Sequence, residues 1–432
     1  MRTNPTIESQ SVENIEQFNN QLLREHVRYC SERSPYYRRL FGESGLKAEH
    51  IRTKDDLHLL PLTLREDLEA YAEDFSCVPE RDVVDMCQTS GTTGKPLILW
   101  QTASDLERLG YNEIISFRTA GMTEDDRVMI ACALGRCFMA GLAYFEGVRR
   151  IGATAVRAGS GNPAVLSQFV LLYRPSIIVC VPSQALLAAE AIQQSGHDPA
   201  RLGVRLLICI GEQIRTADLE YSRLGDRLRE MWRCDIVGTY ASTEIATSFT
   251  ECPNGRGGHF HPELIMVEIV DNNGRPVPPG QPGEVIATPL QVTGMPLLRY
   301  CTGDIAACHT EPCPCGRNTY RLGPVIGRKQ QKMKIRGTTV YPGAIFSVLQ
   351  DIPEVKNYYL EVYGDYELSE TVRVVVGTER TNCLSADTIA EKIRGYIRVK
   401  PEVIVETVPN VAARTTQEGM RKAVVFFDYR RS

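Results

Sequence analysis

A run of hydroxyl-bearing residues, glycines and one lysine lies at Thr89–Lys95, after an apolar stretch (residues 83–87) with the composition of a β-strand. Glycine can adopt the backbone angles that turn N–H groups towards an anion, and hydroxyl and ammonium groups hold phosphate oxygens. The spacing differs from that of a Walker loop. The ordered run favours a phosphate-binding loop over a flexible polar one. Its candidate phosphate contacts are Ser90, Gly91, Thr92, Thr93, Gly94 and Lys95.

Two loops rich in glycine and proline carry the donor atoms of a metal site. Cys252 and His259 lie in one loop, and Cys313 and Cys315 lie in the other. Three thiolates and one imidazole fit a closed, tetrahedral structural Zn²⁺ site, in which His261 competes with His259 as the nitrogen ligand. Free thiols in exposed loops are prone to oxidation, which favours zinc over four unliganded residues.

Two acidic residues end short motifs. Glu244 closes the motif Tyr240–Glu244, and Asp304 follows Gly303. A carboxylate oxygen is a ligand that Mg²⁺ prefers, but a glutamate at a helix start is also explained by the helix dipole. An aspartate after glycine is common in turns. Neither residue is diagnostic by itself.

The elements that position these residues change in type along the chain. From about 85 to 245, short apolar runs alternate with helical stretches such as 184–195 and 215–232. This rhythm predicts an α/β fold with a mostly parallel, covered sheet, and the turn at Gly211 and Glu212 would border its ligand crevice. A β-rich subdomain, either an antiparallel sheet or a barrel, is expected at about 250–328.

A polar, charged segment at residues 327–332 separates this part from the rest of the chain. We therefore expect a large domain over 1–328 and a small, mobile α+β domain over 329–432. Within the small domain the pattern predicts strands at 358–362, 372–376, 403–408 and 423–427, and helices at 344–350 and 386–397.

Composition limits the class of protein. The chain has 432 residues, of which 43% are hydrophobic and 24% charged, with a formal net charge of −4. Nothing here indicates a nucleic-acid partner. Residues 1–20 lack the basic start and apolar core of a signal peptide, and the apolar runs are too short to span a membrane. We expect a cytoplasmic enzyme without a membrane partner.

Taken in order, these motifs resemble the adenylate-forming enzymes, and within them the phenylacetate–coenzyme A ligase branch. The resemblance runs from about residue 29 to the C-terminus. The segments that carry it are Ser34–Tyr37, Leu60–Leu68, Thr89–Lys95, Gly141–Thr154, Tyr240–Glu244, Arg299–Asp304, Cys313–Arg317 and Gly327–Arg328.

The resemblance implies that ATP and a carboxylic acid form an acyl-adenylate. Glu244 would hold Mg²⁺, Asp304 would bind the ribose, and Lys95 and Arg328 would contact phosphate or ribose. Gly211 and Glu212 would line the adenine site, with Tyr240 beside the adenine or the acid. The zinc ligand would be His259, and the enzyme a homodimer.

The acid pocket would be formed by residues 133–141 with Gly211, Tyr240 and Ala241. Phe138 offers a ring face for an aromatic acid, and Gly141 lies in the same stretch. Arg136 either serves a polar substituent or is a solvated loop residue. The expected substrate is a substituted aryl acid.

Two positions depart from the family pattern. The carboxylate of the family's interdomain hinge is replaced by Gln330, and the position of the C-terminal catalytic lysine holds Met420 or, with a small insertion, Lys422. Arg421 is the less favoured substitute, because neighbours on a strand point to opposite faces. Coenzyme A is the expected acceptor of the acyl group. A non-coenzyme A amine, hydroxyl or carrier thiol is one alternative, and a catalytically impaired nucleotide-binding relative is another.

Overall fold

The structure, a computed structural model, describes residues 1–89, 96–335, 338–364, 371–380, 384–416 and 423–430. The chain divides into two compact units. The first contains residues 1–89, 97–302 and 306–324, and the second contains Pro96, residues 303–305 and the described part of 325–432. In this described part of the chain, no helix has both the length and the apolarity that a membrane crossing needs.

Eight α-helices of the first unit are described. They are α1 (Val12–Arg33), α2 (Pro35–Ser44), α3 (Arg65–Ala70), α4 (Ala103–Thr119), α5 (Met139–Ile151), α6 (Pro163–Tyr173), α7 (Pro182–Gln194) and α8 (Arg223–Trp232). Local sequence explains several of their ends. The Ser34 hydroxyl accepts a hydrogen bond from Tyr37 N–H at the start of α2, where Pro35 occupies the first turn.

The strands up to residue 322 form three sheets. They are β1 (Val83–Gln88), β2 (Ile98–Thr102), β3 (Arg127–Ala131), β4 (Thr154–Arg157), β5 (Ile177–Cys180), β6 (Leu206–Ile210), β7 (Asp235–Ser242), β8 (Thr247–Thr250), β9 (Gly258–His259), β10 (Ile265–Val270), β11 (Pro282–Pro289), β12 (Tyr300–His309) and β13 (Arg321–Leu322).

The central sheet has the strand order β4-β3-β5-β6-β7-β8. All its pairs are parallel except the last, in which β8 runs antiparallel to β7. Alternate side chains of each strand enter two separate apolar cores. Ile178 and Leu207 pack with residues of α6, α7 and α8, whereas Val179 and Ile208 pack with residues of α4 and α5. Burial on both faces explains why these strands are continuous apolar runs.

The second large sheet has the order β10-β11-β12-β13-β9 and is antiparallel in its described registers. Its apolar residues share a core with those of α1, α2 and the β1–β2 hairpin. A buried ion pair between Arg299 and Glu268 (2.9 Å) lies beside this core. The Arg299 guanidinium also donates to Leu60 O (2.7 Å), which fixes the segment before α3 to the sheet.

The second unit contains β14 (Gly327–Arg328), β15 (Met333–Ile335), β16 (Thr338–Val340), α9 (Pro342–Gln350), β17 (Val355–Tyr363), β18 (Thr371–Thr378), α10 (Ala386–Ile397), β19 (Glu402–Thr407), α11 (Val408–Thr415) and β20 (Phe426–Asp428). Its main sheet has the order β19-β18-β17-β20. Leu360, Val374 and their neighbours on one face pack against Ile345 of α9 and Ile389 of α10.

The predicted fold class is confirmed: the chain is α/β, with one mostly parallel central sheet and a separate antiparallel sheet. Three predicted elements need correction. The strand expected at 423–427 occupies Phe426–Asp428. The helix expected at 215–232 begins only at Arg223, because Arg215 forms a β-bridge with Tyr221 and Ser222 caps the helix. The strand expected to reach residue 408 ends at Thr407, whose hydroxyl caps α11.

Candidate active site and candidate metal centre

The predicted phosphate contacts, Ser90–Lys95, lie outside the described residues. Their flanks form an antiparallel hairpin, with Gln88 of β1 opposite Ile98 of β2. Thr89 N–H donates to Leu97 O, and Leu97 N–H donates to the Thr89 hydroxyl, both at 3.0 Å. The predicted strand before the loop is therefore present, and the hairpin brings the two ends of the loop together.

Glu244 lies in the turn between β7 and β8, just beyond the carboxyl end of the last parallel strand. Its carboxylate lies 3.7 Å from the Arg65 guanidinium at the start of α3. It also accepts a hydrogen bond from the Tyr300 hydroxyl (3.4 Å). Burial, followed by the nearby Glu244 charge, raises the pKa of Tyr300, so this phenol is a neutral donor.

Arg65 was not among the residues predicted from the sequence. Its side chain is 19% exposed, that of Glu244 is 13% exposed, and Arg65 also pairs with Glu69 at 2.9 Å. This site therefore combines a carboxylate that suits a hard cation with a guanidinium that suits an anion.

Two other predicted site residues, Tyr240 and Ala241, lie in the β7 motif. The Tyr240 ring stacks on Phe249 of β8 with a centroid distance of 5.8 Å. Ala241 is exposed at the end of the strand. The aromatic face at Tyr240 and the open position at Ala241 can border a planar ligand.

Gly211 and Glu212 follow β6 at the same end of the sheet, and Gly211 adopts a positive φ of 74°. The Glu212 carboxylate accepts hydrogen bonds from the Ser183 backbone N–H (2.9 Å) and hydroxyl (2.8 Å). Ser183 lies in the first turn of α7, so Glu212 caps this helix. This contact fixes the position of the turn that was predicted to line the adenine site.

The predicted acid-pocket residues 133–141 connect β3 to α5. Arg136 and Cys137 both have positive φ, at 59° and 53°, which is uncommon for residues with side chains. Gln88 N–H donates to Cys137 O (2.9 Å), which joins this loop to the β1–β2 hairpin. Arg136 is exposed, and Phe138 is partly buried against the core beside α5.

Gly141 is the tightest position in this connection. A Cβ atom built on it would lie 2.1 Å from Ala133 O and 2.7 Å from Leu134 Cα. Only glycine allows α5 to pack this closely against the loop that precedes it.

In the second unit, the structure pairs Asp304 with Arg328. Asp304 of β12 lies opposite Arg328 of β14 in antiparallel register, and Arg328 Nε donates to Asp304 Oδ1 at 3.2 Å. The Asp304 side chain is 10% exposed and that of Arg328 is 46% exposed. Two residues predicted separately as nucleotide contacts are thus neighbours.

The four predicted metal ligands come together in the first unit. One donor atom from each of Cys252, His259, Cys313 and Cys315 lies within 4.8 Å of the others. Cys252 Sγ is 3.7 Å from Cys313 Sγ, and Cys315 Sγ is 3.4 Å from His259 Nε2. The distances suit four ligands that surround a small cation, and His259 belongs to the group whereas His261 does not.

Neighbouring residues orient these ligands. His259 Nδ1 contacts the Thr319 hydroxyl at 3.0 Å, which leaves Nε2 facing the cysteines. Burial lowers the pKa of His259 to about 3, so its imidazole is neutral. Burial raises the pKa of Cys313 to about 12, whereas at Cys315 hydrogen bonds from Arg317 outweigh burial and lower the pKa. A metal binds neutral imidazole, the form His259 already has, and thiolate, so binding at Cys313 would release the proton of its thiol.

An N-terminal segment braces this cluster. Glu8 accepts hydrogen bonds from Arg317 Nε (2.8 Å) and contacts His261 Nδ1 at 2.6 Å. Asn318 N–H donates to Glu8 O at 2.7 Å. The sequence offered no signal for Glu8, because its partners are distant in the chain.

Of the positions that depart from the family pattern, Gln330 is described and exposed. Met420, Arg421 and Lys422 lie outside the described residues. The geometry therefore bears on the predicted hinge position and not on the predicted C-terminal lysine.

Comparison with known proteins defines the class. The model of the family described as AMP-binding enzyme matches residues 24–294. A phenylacetate-coenzyme A ligase from Thermus thermophilus is 32% identical over 365 residues, which cover 83% of this chain and 80% of that one. The phenylacetate-coenzyme A ligase of Escherichia coli K12 is 27% identical over 439 residues, which cover 98% and 97%.

Solved structures show the same fold. A 2-hydroxyisobutyryl-CoA ligase in its postadenylation state has a TM-score of 0.84 at 22% identity, covering 99% of this chain and 92% of that chain. The same ligase with 2-HIB-AMP and CoA, in its thioesterification state, has a TM-score of 0.71 at the same identity and coverage.

The chain belongs to the AMP-binding enzyme family, in the adenylate-forming branch that includes the phenylacetate-coenzyme A ligases. It is accordingly an AMP-forming acid–thiol ligase, which activates an acid with ATP.

Proposed function

We propose that this enzyme converts a substituted aromatic acid and ATP into an acyl-adenylate and pyrophosphate, and then transfers the acyl group to coenzyme A. The pairing of Asp304 with Arg328 carries the proposal, because it presents an acceptor for ribose hydroxyls beside a cation for phosphate. The site around Glu244 supports it with a carboxylate for Mg²⁺.

In the first half-reaction, a carboxylate oxygen of the acid attacks the α-phosphorus, and the bond to pyrophosphate breaks. Lys95 and Arg328 offset the charge that develops on the phosphate oxygens. Glu244 would hold Mg²⁺, which would supply positive charge to neutralise the phosphate oxygens. Tyr300 and Arg65 keep the Glu244 carboxylate in one orientation.

In the second half-reaction, the coenzyme A thiol attacks the acyl carbonyl carbon, AMP leaves, and a thioester forms. In this proposal the second unit would act as a mobile lid, and Lys422 would be the cation for the α-phosphate during adenylation. Related ligases support this cycle, since the 2-hydroxyisobutyryl-CoA ligase has been solved in a postadenylation and a thioesterification state.

The loop 133–141 and the relatives support the proposed nature of the acid. Phe138 offers an aromatic face beside α5, and the two curated relatives act on phenylacetate. The exposed Arg136, held at positive φ, would meet a polar or anionic substituent on the ring. We therefore propose a hydroxy- or aminobenzoate-like acid.

We further propose that Cys252, His259, Cys313 and Cys315 hold a structural Zn²⁺. The compact donor set, the neutral His259 and the Thr319 contact support it. A site closed by four protein ligands leaves no position for catalysis, so the ion would join loops 252–259 and 313–315.

Acid-dependent ATP–pyrophosphate exchange with a panel of aryl and aliphatic acids tests the activation step, with coenzyme A acylation measured in parallel. Exchange and acylation that are strongest with a substituted aryl acid are expected. Exchange without acylation would favour an acceptor other than coenzyme A. This is the second candidate function, and the replacement of the family's hinge carboxylate by Gln330 favours it. A lack of exchange with every acid would favour an impaired nucleotide-binding relative.

A further inference from the structure

Residues 325–335 lead from the first unit into the body of the second. Pro324 ends the first unit and Val325 begins the long section of the second. Residues 328–330 are exposed and polar. A cycle in which the second unit changes its arrangement must be absorbed by a few backbone angles in such a segment.

The start of this segment is held by backbone pairing. Gly327 and Arg328 lie opposite Ile305 and Asp304 of β12, and Ile326 N–H donates to Ile305 O at 2.9 Å. The chain up to Arg328 therefore follows β12.

The end of the segment is held by Arg430, one of the last described residues. Arg430 Nη1 donates to Lys332 O (2.7 Å), and Arg430 Nη2 donates to Gln330 O (2.9 Å). Its side chain is only 1% exposed. One guanidinium thus holds two carbonyls that are two residues apart, which fixes the backbone between them.

Arg430 is itself anchored to the main sheet of the second unit. Its Nε donates to Asp428 Oδ1 at 2.7 Å, and Asp428 ends β20 opposite Val362, a buried residue of β17. Tyr429 N–H, between the two, donates to Val362 O at 2.8 Å. Residues 330–332 are in this way attached to the sheet through one side chain.

We propose that Arg430 is a positioning residue that fastens residues 330–332 to the second unit, so that the change between adenylation and acyl transfer takes place before Gln330. This inference rests on the proposed two-step function. It assigns a role to the C-terminal Asp428–Arg430 stretch through a contact that needs no carboxylate at position 330. The backbone carbonyl of Gln330, which any residue supplies, makes the contact.

The test compares Arg430→Ala and Arg430→Lys with Arg394→Ala in the full-length enzyme. Arg394 is a matched control, because it lies in the same unit and its ion pair with Glu391 (3.5 Å, i,i+3) is exposed. Deuterium uptake of residues 329–335 is measured together with pyrophosphate exchange and single-turnover acyl transfer to coenzyme A.

For Arg430→Ala we expect faster deuterium uptake at 330–333, exchange within about threefold of the wild type, and acyl transfer reduced roughly tenfold. Arg430→Lys should retain more of the acyl-transfer rate than Arg430→Ala. Arg394→Ala should change none of the three quantities. Unchanged uptake at 330–333, or an equal loss of both half-reactions, overturns the proposal. A wild type without acid-dependent exchange would contradict the proposed function. Deuterium uptake needs no substrate, so it would still test whether Arg430 holds residues 330–332.

Discussion

The Glu244 carboxylate lies 3.7 Å from the Arg65 guanidinium, at the carboxyl end of the last parallel strand of the central sheet. A cation from α3 thus reaches a residue of the β7–β8 turn. The same guanidinium pairs more closely, at 2.9 Å, with Glu69 on its own helix. This arrangement allows two acids that share one partner to be compared.

Replacement of Glu244 by glutamine should reduce acid-dependent pyrophosphate exchange by roughly a hundredfold. The amide keeps the shape but removes the charge that holds Mg²⁺, and the loss of one preorganised electrostatic contact has about this effect. Steady-state exchange at several Mg²⁺ concentrations measures it. Glu69→Gln removes the other acid beside Arg65 and should change the rate by less than about threefold. Equal losses in both variants would mean that Arg65 pairing, and not the metal, explains the effect.

The metal centre predicts a measurable zinc content. The purified enzyme should contain about one zinc per chain, and Cys315→Ser should lose it together with thermal stability. Loss of a structural metal removes binding free energy that is also folding free energy, so the midpoint of unfolding should fall by more than about 5 °C. Elemental analysis and calorimetry measure the two effects.

The control for this variant is Cys308→Ser, since Cys308 is partly buried on β12 and does not belong to the ligand cluster. It should keep the zinc and most of the stability. A wild type without zinc, or a Cys315→Ser variant that retains a full equivalent, would contradict the assignment.

Sequence predicted the elements of this fold better than the partners within its sites. Strands such as Ile177–Cys180 were predictable, because burial on both faces requires an uninterrupted apolar run. The helix predicted from 215 failed because an apolar period does not reveal that Arg215 bridges to Tyr221. Arg65 and Arg430 carry no local signal, since an exposed arginine has the same sequence appearance as a buried one. Long-range pairing decides their roles.

Buried Glu113 predicts a pH-dependent stability. Burial raises the pKa of Glu113 from 4.5 to about 8, against weaker opposing hydrogen bonds from Ser248 and Asn112. Below pH 4.5 Glu113 is protonated in both the folded and the unfolded chain, so its ionisation does not lower the free energy of unfolding. Between pH 4.5 and about 8 the unfolded chain loses this proton first, so the contribution of Glu113 to stability declines as pH rises, by about 1.4 kcal/mol per unit.

Glu113→Gln removes this titratable carboxyl group. The midpoint temperature of unfolding should therefore fall less between pH 5 and pH 8 than it does in the wild type. Glu107→Gln serves as the control on the same helix, because Glu107 is exposed and pairs with Arg150 at 2.7 Å. Thermal unfolding at matched ionic strength measures both variants. An identical pH profile in Glu113→Gln and wild type would show that Glu113 does not retain a proton in the folded state.

The close packing at Gly141 predicts that a single methyl group disturbs the acid pocket. In Gly141→Ala the new Cβ would meet Ala133 O at 2.1 Å, so the loop 133–138 or the start of α5 must shift. Backbone contacts cannot yield as a flexible side chain can, and overpacking of this kind costs about 1–3 kcal/mol. Because the loop carries Arg136 and Phe138, we expect the KM for the acid to rise by about tenfold or more while the KM for ATP changes little.

Gly42→Ala provides the comparison, since a Cβ at Gly42 in α2 meets no atom within 4 Å and should raise stability by up to about 1 kcal/mol. A Gly141→Ala enzyme with unchanged KM for the acid would separate this loop from the acid site.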